Sequence, residues 1–136
     1  MNVKRAIGMG VVVYLCSFVL GILLSIISSL YFSQTGKTNT IISLINLVLM
    51  VVIVALFSLY YFKDNKIKAD VKEGLKFGLV LIVIGFVFDW VGFLISIARN
   101  SPQDLINYYS NPYFWIALIL LIGTSALVGH IKGKSQ

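Results

Sequence analysis

Val71–Ala98 reads VKEGLKFGLVLIVIGFVFDWVGFLISIA, an apolar run broken near its middle by one carboxylate, Asp89. A helix needs about 20 mainly apolar residues to cross a bilayer, and this stretch exceeds that. A charge at such depth costs about 2.5–3.5 kcal/mol on insertion, so Asp89 is expected to face protein or water and not lipid. Gly74, Gly78, Gly85, Asp89, Gly92 and Ser96 follow one another at steps of three, four or seven. At about 3.6 residues per turn they form one stripe of small side chains. Such stripes are where membrane helices approach closely, which places Asp89 on an interior face.

The rest of the chain repeats this character. Of 136 residues, 59% are hydrophobic and 12% charged; a soluble domain carries about 25% charged residues. Apolar spans fall at about 6–32, 41–62, 71–98 and 113–131, and short connections make up nearly everything else. The expected fold is all-α: a single integral membrane domain, residues 1–136, folded as a four-helix transmembrane bundle.

The net charge of +6 would suggest nucleic acid in a soluble protein. Its distribution argues against that partner. Lys4, Arg5, Lys63, Lys66, Lys68, Lys72, Lys76, Lys132 and Lys134 flank the spans on one side, and only Lys37 and Arg99 flank them on the other. By the positive-inside rule both termini and the 63–76 connection are expected in the cytoplasm, with the protein multi-pass in the cell (inner) membrane. The lipid bilayer is then the obligate partner, and the lysines are expected to meet anionic headgroups.

Local signals refine the layout. In the 63–76 connection, Asp70 and Glu73 fit the N-cap and N3 positions of a helix start, within an otherwise solvated turn. Tyr60, Tyr61 and Phe62 read as an interfacial aromatic belt. A turn centred on Gly36 is expected between the first two spans. Ser101, Pro102 and Asp104 signal a short helix to about Tyr109, lying along the outer surface with Leu105, Ile106, Tyr108 and Tyr109 facing lipid or the bundle. Asn111 and Pro112 repeat the signal and open the last span, with Trp115 as its outer anchor.

Other polar positions are candidates for function or for interior packing. Gly10, Tyr14, Ser17, Gly21, Ser25 and Ser28 form a stripe on the first span, read as a packing face or, second, as a polar groove. Asn46 is the strongly polar residue of the second span, expected to bond across helices or to contact a ligand. On the last span Gly123, Ala126 and His130 share a face that reads as close packing. Asp89 could lock its helix to its neighbours, with Ser25 and Thr124 as expected partners, exchange a proton as transporter carboxylates do, or contact a small ligand. Trp90 points about 100° away from it, toward apolar surface.

No catalytic set is apparent. Cys16 is the only cysteine and His130 the only histidine, which leaves no disulfide, thiolate metal site or paired haem ligand within one chain. There is no phosphate loop. Neither enzymatic activity nor a cofactor is expected. Lys72–Leu79, KEGLKFGL, with Asp89 ten residues on, resembles small four-span prokaryotic membrane proteins without an assigned function. That resemblance implies the four-helix membrane fold and no activity. The functional expectation is a non-enzymatic membrane protein acting through helix packing or association, with a second copy or another membrane protein. The alternative is a small proton- or ion-linked transporter using Asp89.

Overall fold

The computed structural model describes residues 2–31, 38–64, 67–95 and 102–134. The turn around Gly36, Lys37, Lys66, Ser96, Arg99 and the Ser101 cap lie outside them, as do the side chains of Asp104 and Leu105. The described chain is helical, without a strand: α1 Val3–Tyr31, α2 Thr38–Tyr61, α3 Val71–Ile95, α4 Pro102–Ser110 and α5 Pro112–Lys134. All but α4 are long and apolar enough to cross a membrane. The molecule is a multi-pass membrane protein built as a four-helix bundle, with a short helix before its last span.

Helix starts follow local chemistry. Asp70 accepts the Glu73 N–H at 2.6 Å and so caps α3. Asn111 accepts the Tyr113 N–H at 3.0 Å ahead of Pro112, capping α5. Asn2 does the same for Arg5 at the start of α1.

The close pairs are α1–α2, α2–α5, α5–α3 and α3–α1, so the four spans form a ring with α2 and α3 on a diagonal. Gly10 lies against Leu81 and Ile84 of α3, and Tyr14 reaches Phe88 and Asp89 further along, so α1 and α3 run parallel. Gly74 meets Ala126, Gly78 meets Ile122 and Phe86 meets Phe114, so α3 and α5 run antiparallel. The ring therefore mixes the two senses.

Because the α2–α3 connection joins diagonal helices, its described parts, 62–64 and 67–70, lie at the bundle's basic end, with Lys4, Lys63, Lys68, Lys72, Lys132 and Lys134. This connection is more than a solvated turn: Phe62, Ile67 and Ala69 are buried. Gly129 and Gly133 of α5 lie against the Asp70 and Ala69 carbonyls. The expected aromatic belt is divided. Tyr61 and Phe62 point inward, Tyr61 stacking on Phe77 at 4.4 Å, and only Tyr60 stays on the surface. Tyr61 Oη donates to the buried Glu73 Oε1 at 3.0 Å. Arg5 binds Asp64 at 2.7 Å and also donates to the Tyr60 carbonyl, tying the start of α1 to the end of α2.

Dense packing stops halfway along the bundle. Among the described residues, the buried positions of the spans fall within 6–13 on α1, 54–61 on α2, 73–81 on α3 and 125–129 on α5, on the inward faces of those stretches, and all lie toward the basic end. The α3 glycine stripe divides at the same level. A Cβ on Gly74 would strike the Ser125 carbonyl and come within 2.8 Å of the Ala126 Cα, whereas one on Gly85 or Gly92 meets nothing within 4 Å. On α5 the close approach is made at Ser125 and Ala126, and Gly123 is open.

Candidate functional site

Where the packing stops, a cavity of about 380 Å³ opens between α1, α2, α3 and α5. Leu81 and Val54, both buried, close it toward the basic end, and Tyr108 and Asn111 border it at the far end. Gly85 lines it, which explains a glycine with no close neighbour. A smaller cavity of about 260 Å³ lies further out between α1 and α2, and the two share Ser43 and Asn46.

Asp89 lines the larger cavity. Tyr14 Oη of α1 donates to its Oδ1 at 3.3 Å, and Tyr108 Oη of α4 donates to its Oδ2 at 3.3 Å. Each phenol is aimed by its own packing. The Tyr14 ring stacks on Phe88 at 4.6 Å, one residue from the carboxylate it binds. Tyr108 is held by an aromatic cluster around Phe114, which it meets at 5.2 Å, as does Tyr109. Phe86 of α3 joins the same cluster. Pairs of this kind contribute about 0.5–1.5 kcal/mol each beyond burial, and they tie the end of α4 to α3 and α5. Trp115 Nε1 adds a 2.8 Å bond to the Tyr109 carbonyl.

Both bonds to Asp89 are long. A strong O–H···O⁻ contact spans about 2.5–2.7 Å, so this carboxylate is touched by its phenols without being clamped, and it keeps room for another partner. Burial, with the Asp89 carboxylate beside it, holds the Tyr108 phenol above its ordinary range, and Tyr109 is raised for the same two reasons. Tyr108 therefore remains a donor at neutral pH.

The predicted site residues separate into three places. Asp89, Tyr14 and Asn46 line the larger cavity. Ser25 lies in the smaller one with Gly21 and Ser28, and Asn46 borders both. The α1 stripe thus follows cavity walls for most of its length, Gly10, Tyr14 and Ser17 on one and Gly21, Ser25 and Ser28 on the other. Thr124 lines neither cavity. Ser125 beside it is the buried residue, its Oγ donating to the Ile122 carbonyl at 3.0 Å.

Ser25 and Thr124 are thus not the partners of Asp89, and helix stagger is the reason. Asp89 stands six residues from Ile95, the last described residue of α3, so it belongs to the outer part of the span. The α3–α5 register puts it level with Asn111, about 20 Å along the axis from Thr124 at 1.5 Å per residue. The α1–α3 register puts it beside Tyr14, about 16 Å short of Ser25. Tyr108 is the residue that sequence reasoning undervalued, placed on α4 as a lipid or bundle contact. Its signal was the aromatic run Tyr108, Tyr109, Tyr113, Phe114 flanking the Asn111–Pro112 break. Trp90 is outward and 52% exposed. His130 is exposed at the basic end. Among the described residues no group of three or more metal-ligating side chains forms. No family model, curated protein or solved structure matches this chain.

Proposed function

We propose that this chain is a non-enzymatic membrane protein that holds a small solute in the cavity beside Asp89. One observation carries the reading: the bundle is tightly packed at its basic end and opens into an Asp89-lined cavity of about 380 Å³ beyond it. A carboxylate serving only to lock helices belongs in the packed half with short bonds, and Asp89 has neither property. With the basic end in the cytoplasm by the positive-inside rule, the cavity faces the outer side of the cell's inner membrane.

The test is solvent access. In a Cys16→Ser background, Gly85→Cys is expected to react with a small membrane-impermeant thiol reagent added from the far side. Leu79→Cys, on the exposed outer face of α3, stays unmodified in the bilayer. Equal labelling of the two positions would remove the cavity reading.

A second reading, a proton- or ion-linked transporter, is favoured by the place of Asp89 on a cavity wall. In proteoliposomes an imposed ion gradient should then move protons, with the flux lost in Asp89→Asn and kept in Asp89→Glu. A silent Asp89→Asn with a poorly folding Asp89→Leu returns the residue to a packing role.

A further inference from the structure

We infer that the solute held beside Asp89 is a small organic cation with an apolar body. The inference rests on the cavity reading above and adds the chemical class of the occupant. Three features of the wall select that class. First, Asp89 is its only ionisable carboxylate, and no Lys, Arg or His lines it among the described residues. A neutral or anionic solute would bring no positive charge to this carboxylate, whose neighbours on the wall are mostly apolar side chains and uncharged polar groups. Second, the rings of Tyr14, Tyr108, Tyr113 and Phe114 border the same space. Aromatic rings attract a positive charge, and a wall rich in them suits ammonium groups whose substituents prevent dense hydration. Third, the floor is aliphatic, made by Val54 and Leu81, and Leu47 and Met50 add an apolar side wall on α2, so an apolar tail can lie beside and below the charge.

The geometry also orders the parts. Val54 and Leu81 stand at the closed end of the cavity, and Asp89 lies about two turns further out along α3 than Leu81. The cation therefore sits at Asp89 with its apolar body toward Val54 and Leu81, against a carboxylate that its 3.3 Å phenol bonds leave free to accept a further contact. Inorganic cations are disfavoured. Divalent ions are bound mainly through several carboxylates, and Asp89 is the single carboxylate of this wall, with no group of three or more His, Cys, Asp or Glu side chains among the described residues.

The probe is benzyltrimethylammonium, with neopentylbenzene as its neutral isostere and phenylmethanesulfonate as an anion of similar size. Each is titrated against the full-length protein in zwitterionic nanodiscs, with empty nanodiscs as the partition control. Saturable binding of the ammonium is expected, at least about tenfold tighter than the neutral isostere and weakened about tenfold or more by Asp89→Asn. Gly85→Leu, which fills the cavity where a new side chain has room, should remove binding of both. If Asp89→Asn fails to fold, Tyr108→Leu at the half-exposed rim takes its place, and a several-fold loss confined to the ammonium is expected. Equal binding of ammonium and isostere, unmoved by Asp89→Asn but lost in Gly85→Leu, overturns the cation class and leaves the cavity reading standing. Preference for the sulfonate overturns it likewise. No saturable binding of any probe to well-folded protein overturns both.

Discussion

Asp89 and its two phenols show how one polar residue is accommodated inside an apolar chain. Neither tyrosine neutralises it, and both give it hydrogen bonds from rings whose bodies pack as hydrocarbon. The raised Tyr108 phenol supplies a spectroscopic check. Burial and a neighbouring negative charge both favour the protonated form, so its ionisation falls above the ordinary phenol value of about 10. Subtracting the ultraviolet titration of Tyr108→Phe from that of the parent should isolate a step above that value. In Asp89→Asn the step should move down, since the charge contribution is gone, and remain above the ordinary value, since burial is unchanged. At the other end of the bundle, Tyr61→Phe removes the donor to the buried Glu73 carboxylate. A loss of about 1–3 kcal/mol is expected, read as a lowered midpoint in thermal or denaturant unfolding in detergent.

Elements behave differently according to which half of the bundle they occupy. Gly74→Leu forces a side chain into the α5 backbone at Ser125 and Ala126, so α3 and α5 must separate. Overpacking costs about 1–3 kcal/mol even where neighbours can yield, and backbone yields least. Folded monomer in size-exclusion chromatography should fall sharply for Gly74→Leu and hold for Gly85→Leu on the same helix. This contrast marks the boundary of what the sequence discloses. Helix starts are legible because they depend on contacts three residues apart, as Asp70 with Glu73 and Asn111 with Tyr113 show. The glycine periodicity likewise identifies an inward face. It does not distinguish a face pressed against a neighbour from one turned to empty space, because glycine stands in both, at Gly74 and Gly78 in the packed half and at Gly85 and Gly92 in the open one. Helix stagger is hidden for a related reason. Apolar spans blur at both ends, and an error of a few residues in depth exchanged Tyr14 and Tyr108 for Ser25 and Thr124 as partners of Asp89.

At the scale of the whole molecule, the bundle is fastened at its basic end and looser beyond it. Hydrogen exchange in nanodiscs should show this directly: amides of 6–13, 54–61, 74–81 and 125–129 are expected to be the slowest, and amides bordering the cavity on α1 and α3 faster. Uniform protection along each helix would contradict the packing described. The connection beneath the bundle has a different consequence. Because α1 pairs with α2 and α3 with α5, the polypeptide consists of two helical hairpins joined by a strap at 62–70. Each hairpin can enter the bilayer as its own unit and dock afterwards, so the peptide bond within the strap is dispensable once they have met. Two genes encoding 1–64 and 65–136, expressed together, should reconstitute a protein that co-purifies from either half. The Arg5–Asp64 pair stays within the first piece, and the Tyr61–Glu73 bond rejoins the two.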